Sequence, residues 1–130
     1  MKGFLDRHPK SLKVLLTDDQ PNTRKALRAL LTTYPDVRVI ADCEDGTQAI
    51  ALAGQLHPDV VVLGCRIPEL DGLEATRRIK ELWPDIGVVI LTMHPDVEPR
   101  ARAARADAFL LKGCAAGDLV SAVLKAGGRV

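Results

Sequence analysis

The sequence predicts an α/β protein built on a doubly wound parallel sheet with helices on both faces. Two observations carry this: five short, continuous apolar runs rich in β-branched residues, and intervening stretches whose apolar residues recur at helical spacing. Continuous runs mark strands buried on both faces, and strands alternating with helices imply parallel crossovers.

The elements follow in chain order. The first run, residues 14–16, leads into Leu27, Leu30, Leu31 and Tyr34, an i, i+3, i+4, i+7 stripe with Pro21 at the expected first turn. Residues 37–40 form the second run, and Ala49, Ile50, Ala53 and Leu56 the second stripe. Residues 60–63 precede a third stripe of Leu73, Thr76, Ile79, Leu82 and Trp83. After the fourth run, residues 88–91, the stretch 96–105 is rich in alanine and arginine, with Pro99 near its start. Its few large apolar residues predict a short, weakly packed fourth helix. Residues 109–111 give the fifth run, and Leu119, Val120, Val123 and Leu124 the last stripe, with Asp118 at the positive end of the helix dipole. Ala126-Gly127-Gly128 reads as the exit from that helix.

A chain of 130 residues fits one domain with a real core. The expected divisions are an N-terminal extension over 1–11, the domain over 12–126 and the start of a linker over 127–130. With 47% hydrophobic residues and a formal net charge of +1, neither disorder nor a strongly nucleic-acid-binding surface is indicated. Aromatics at 3% disfavour base-stacking platforms. Cys43, Cys65 and Cys114 form no CxxC pair, which argues against a disulfide framework and a zinc site and for a reducing cytoplasm. Charges interrupt every apolar stretch of residues 1–12, and no segment approaches membrane-spanning length.

In an open doubly wound sheet, ligands bind beyond the carboxyl ends of the strands where strand order reverses. The residues there are Thr17-Asp18-Asp19-Gln20 after the first strand and Gly64-Cys65-Arg66-Ile67-Pro68 after the third. Adjacent carboxylates suit a hard cation such as Mg²⁺. They equally suit a helix N-terminus that favours acids.

The spans VLLTDDQPNTRKALRALL, PDVVVLGCRIPELDGLEATRRIK, VVILTMHPD and ADAFLLKG closely resemble the receiver domains of two-component response regulators, especially those attached to LuxR/NarL-type DNA-binding modules. The resemblance covers roughly residues 12–128 and implies a flavodoxin-like (CheY-like) fold with strand order 2-1-3-4-5. It further implies that Asp18 and Asp19 match the Mg²⁺-binding acids, with the Arg66 backbone carbonyl as third ligand. Thr92 matches the hydroxyl that bonds the phosphoryl group, Lys112 the lysine that pairs with it, and Phe109 the aromatic switch. Pro68 and Asp71-Gly72 match the turn that opens the third helix.

Gly64 matches the phosphoacceptor, where the family carries an aspartate that attacks phosphorus. Glycine has no nucleophile. Removing that carboxylate weakens any Mg²⁺ site and reduces like-charge repulsion, so Lys112 is expected to pair directly with Asp19. Thr92 and Lys112, 20 positions apart, are closer than the family pattern, which again points to a shortened fourth helix.

The expected function is therefore that of a non-enzymatic pseudo-receiver acting by protein contact or self-association. The surface is the helix 4–strand 5–helix 5 face or helices 1 and 5. DNA would be contacted only through an output domain outside these residues, and no membrane partner is expected. The competing readings are a phosphorylatable receiver with an engineered Asp-to-Gly change, residual chemistry at Glu69 or Asp71, and a ligand- or nucleotide-binding flavodoxin-like protein. The last is disfavoured because a phosphate loop after the first strand wants glycines and free N–H groups, not two acids. Cys65 reads as packing or as a redox sensor, His57 and His94 as loop residues, and Arg100, Arg102 and Arg105 as a solvated helix face or a partner contact.

Overall fold

The computed structural model describes residues 11–65 and 70–129. The expectations placed on Arg66, Pro68 and Glu69, on the side chains of Cys65 and Asp71, and on the extension before Ser11 lie outside what is described. Five parallel strands form one sheet in the order β2-β1-β3-β4-β5: β1 Leu12–Thr17, β2 Val37–Cys43, β3 Val60–Cys65, β4 Gly87–Thr92 and β5 Ala108–Leu111. The helices are α1 Pro21–Thr32, α2 Gly46–Leu56, α3 Leu70–Leu82, α4 Glu98–Ala103 and α5 Ala116–Ala126. This is the flavodoxin-like order that the resemblance implies. Among the described residues no helix is long and apolar enough to cross a membrane.

The alternation of side chains along each strand divides the core in two. Val14, Leu16, Val60, Val62, Val89 and Leu91 face α1 and α5, meeting Leu31, Leu119 and Val123. Leu15, Val61, Leu63, Val88 and Ile90 face the other way, onto Ala49 and Ala53 of α2, Leu73 and Ile79 of α3 and Ala101 of α4. All of these are buried, each contributing about 1.5–3 kcal/mol when it is a Val, Leu or Ile.

The two outer strands depart from the expectation of two-sided burial. Val39 and Ile40 of β2 and Phe109 and Leu110 of β5 are half-buried, and Leu111 is 40% exposed. Each of these strands has a neighbour on one side only, so the helices cannot cover both of its faces. Leu82 is likewise exposed, because the buried stripe of α3 stops at Ile79 and Trp83 takes over beyond the helix. Its ring lies against Gly54, where a Cβ would stand 3.1 Å away, and edge-on to His57. His57 itself is the left-handed C-cap of α2.

The fourth helix is short, as expected, but it is not loosely packed. A 3₁₀ turn, Pro95–Val97, leads into six residues of α4. Val97, Ala101 and Ala104 are buried, since alanine lets the helix approach its neighbours closely. It ends in a Schellman-type bond from the Ala106 N–H to the Ala101 carbonyl, with Arg105 at φ 72° in the position that favours glycine. Arg102 pairs with Glu98 one turn back. The arginines thus form a solvated face.

At the amino ends of the strands, Lys80 ties three elements together. Its Nζ donates to the carbonyls of Pro84 (3.1 Å) and Ile86 (2.9 Å) and to Asp107 Oδ2 (2.9 Å), while Asp107 also accepts the Val88 N–H. Lys80 is the buried member of the pair, and the carbonyls it answers lose their donor when it is removed. Lys80→Met is expected to lower unfolding free energy by about 2 kcal/mol in denaturant titrations, with the slope unchanged.

Candidate functional site

Strand register assembles the site. Thr17 pairs with both Cys43 and Leu63, Gly64 with Leu91, and Thr92 with both Cys65 and Leu111. The residues that follow these strand ends, Asp18 and Lys112, therefore meet beside Gly64. Strand β3 runs two residues beyond the apolar run of the sequence, because Gly64 and Cys65 continue the ladder with β4.

Asp18 is held from several sides. Its N–H donates to the Cys43 carbonyl (3.1 Å), and its Oδ1 accepts the Gln20 N–H (2.8 Å), a local turn that starts α1. Arg24 Nη1 donates to its carbonyl (2.6 Å), while Arg24 Nε reaches Asp42 at the end of β2 (3.2 Å) and Arg28 pairs with the same carboxylate. The side chain is 1% exposed.

Its second oxygen takes the room that a side chain at position 64 would need. A Cβ on Gly64 would stand 2.9 Å from Asp18 Oδ2, 3.3 Å from Asp18 Cγ and 3.2 Å from the Thr17 carbonyl. Lys112 Nζ lies 2.9 Å from the same Oδ2. The approach lacks the direction of a hydrogen bond, and Oδ2 has no hydrogen-bond donor among the described residues, so the contact is an ion pair held by proximity and burial. The Lys112 N–H donates to the Thr92 carbonyl (2.8 Å), and the buried Thr92 hydroxyl accepts the His94 N–H (3.2 Å).

The expected pairing of Lys112 with Asp19 is thus corrected: the lysine takes Asp18. Successive residues of an extended chain project to opposite sides. Asp18 turns inward from β1, whereas Asp19 is exposed. Phe109 packs on the α2–α4 side of the core, half-buried. The Arg66 carbonyl lies outside the described residues.

Both Asp18 oxygens are engaged, one of them by an ammonium, and no third carboxylate stands at position 64. A cation on Asp18 Oδ2 would meet the Lys112 ammonium. Of the two cysteines whose side chains are described, neither is activated: burial pushes the thiols of Cys43 and Cys114 up, away from thiolate. Cys43 packs against the Thr17 hydroxyl at 3.4 Å.

Arg24, Asp42 and Arg28 escaped sequence reasoning. A signal existed, since a sheet with β2 beside β1 brings the carboxyl end of β2 to the site, and an arginine on the first helix turn can then reach back to it.

The family model for the response regulator receiver domain matches residues 14–124. VraR, a response regulator protein of Staphylococcus aureus, is 35% identical over 117 residues, covering 88% of this chain and 56% of its own length. DegU, a transcriptional regulatory protein of Brevibacillus brevis, is 32% identical over 114 residues, covering 86% and 48%. The chain therefore spans about half the length of these curated relatives. Among solved structures, the signal receiver domain of the response regulator NarL from Mycobacterium tuberculosis superposes with a TM-score of 0.85 at 28% identity, covering 92% of this chain and 98% of that one. A two-component response regulator of the LuxR family from Aurantimonas sp. SI85-9A1 gives 0.83 at 30% identity, with coverage of 92% and 87%.

Two outcomes follow from the ion pair. Lys112→Met is expected to cost about 2 kcal/mol of stability, measured by denaturant unfolding, because the partner left behind is buried. The same variant is expected to bind Mg²⁺ more tightly than the unaltered chain, read from amide shifts of Asp18, Asp19 and Gln20 in an NMR titration, since it frees Asp18 Oδ2 for the metal.

Proposed function

The chain belongs to the response regulator receiver family, and we propose that within it this chain is a pseudo-receiver, unable to accept phosphate at position 64. The observation that carries this is the occupation of the vacated space: Asp18 Oδ2 sits where a Cβ of residue 64 would make contact, with Lys112 against it.

The chemistry of a receiver requires a carboxylate oxygen to attack phosphorus and become an acyl phosphate. Gly64 supplies no such oxygen. Asp18 cannot stand in for it, because one of its oxygens caps the turn into α1 and the other faces the ammonium. Thr92 and Lys112, which would bind a phosphoryl group, are engaged with the His94 N–H and with Asp18. In this reading Mg²⁺ binds weakly and is not required.

A receiver works by biasing two arrangements of its output surface. With Lys112 held by Asp18, that bias comes from another protein or a second copy of the chain, through the α4–β5–α5 face or through α1 and α5. The relatives support a place in two-component-type signalling in the cytoplasm. One solved relative is described as a DNA-binding response regulator of the LuxR family, so transcription control through an attached output domain is the proposed setting. The domain itself is proposed to be non-enzymatic.

Incubation with acetyl phosphate and Mg²⁺, followed by intact mass, tests the reading. The unaltered chain is expected to show no phosphoryl adduct, and Gly64→Asp to gain one at a reduced rate, because Asp18 must first move out of the way. A phosphoryl adduct on the unaltered chain would overturn it. Gly64→Ala, which asks the Asp18 carboxylate and the Thr17 carbonyl to give way slightly, is expected to cost about 1 kcal/mol of stability.

A further inference from the structure

We propose that the outer edge of β5 is where a second copy of this chain docks, the two β5 strands pairing antiparallel about Phe109 so that the five-stranded sheets join into one. The sheet has two edges, and they are built differently. β2 carries the devices that keep an edge single: its register with β1 slips between Val14 and Leu15, Arg38 stands exposed within it, and Asp42 is tied up by Arg24 and Arg28. β5 carries none of them. Ala108-Phe109-Leu110-Leu111 holds no charge and no proline, pairs with β4 without a slip, and has no strand on its other side among the described residues.

The alternation of the ladder fixes the register. The Asp107 N–H donates to the Val88 carbonyl, so residues 107, 109 and 111 face β4, and the N–H and C=O of Ala108 and Leu110 point outward. At Lys112 the N–H turns back to the Thr92 carbonyl and ends the free edge. A two-fold axis through Phe109 sets the outward residues against each other: Ala108 of each copy exchanges hydrogen bonds with Leu110 of the other. It also brings the two Phe109 side chains, half-buried on the α2–α4 face, together as a cross-strand aromatic pair.

Helix α5 is laid out for the same axis. It flanks a groove of about 540 Å³ along β5, with Asp118 toward one end, Lys125 toward the other and the small residues Ser121 and Ala122 between them. Asp118 and Lys125 share one face of the helix, are exposed, and have no ion-pair partner among the described residues. Turning a copy about Phe109 carries its Lys125 to the side of the groove opposite Asp118, and its Asp118 opposite Lys125. The pattern is complementary to itself, as an isologous contact requires, and this selects a second copy as the occupant.

The inference rests on the reading of this chain as one that acts by contact, and it names the copy and the face. A pair made this way needs no phosphoryl group. Its oligomeric state is read without a phosphodonor, so failure here and failure of the pseudo-receiver reading are told apart.

Sedimentation velocity over a concentration series is expected to show monomer and dimer in equilibrium, with the amides of Ala108 and Leu110 exchanging more slowly with deuterium as the dimer forms. Ala108→Pro removes an outward donor at the first residue of an edge strand, where proline is tolerated, and is expected to give a folded monomer. Asp118→Lys and Lys125→Asp each set like charges against one another and are expected to weaken self-association about tenfold. Mixing these two variants restores opposite charges at both positions, and the heterodimer is expected to form as strongly as the unaltered pair. That mixture leaves β5 intact, so it decides the matter even where the proline variant does not fold. A monomer at every concentration, a dimer indifferent to a folded Ala108→Pro, no recovery on mixing, or protection of amides on another face would overturn the proposal.

Discussion

The contact between the Asp18 carboxylate and the Lys112 ammonium, made directly over Gly64, is the constraint on which the site depends. In a parallel sheet the carboxyl ends of the central strands meet at one edge, and whatever charge collects there has to be balanced locally. With an acid at position 64 the balance would involve three carboxylates and a cation. Without it, Asp18 Oδ2 lies where a side chain at position 64 would make contact, and Lys112 Nζ stands 2.9 Å from it. Breaking such a pair leaves the buried Asp18 carboxylate without its counter-ion, which is costly.

The rest of the architecture holds that pair in place. Arg24 clamps the Asp18 carbonyl and reaches Asp42, so β1, β2 and α1 are fixed around the acid. Thr92 fixes the lysine's backbone from β4. At the opposite end of the sheet Lys80 and Asp107 join α3, β4 and β5, and the two ends together leave little freedom in the central strands. The fourth helix is six residues long and packed through buried alanines, beside the half-buried edge strand β5.

Much of the fold was legible because β1, β3 and β4 carry apolar runs that need covering on both faces. The runs in β2 and β5 look the same in sequence and end half-buried, since composition records how apolar a strand is but not how many neighbours it has. Leu82 misled for a related reason: helical spacing continues past the point where the helix leaves the sheet. At the site, Asp18, Thr92 and Lys112 were legible through the family pattern, and the void at Gly64 through its absence from that pattern. The partner of Lys112 was not, because Asp18 and Asp19 are neighbours that differ only in which side of an extended backbone they leave. Arg24 and Asp42 became visible only once β2 was known to lie beside β1.

A crystal structure of the chain grown at saturating Mg²⁺ tests the Asp18–Lys112 pair most directly. The account predicts Asp18 Oδ2 still beside Lys112 Nζ and above the Cα of Gly64, with no metal bound between Asp18 and Asp19. Asp18 turned toward a bound Mg²⁺, with Lys112 swung out into solvent, would contradict it.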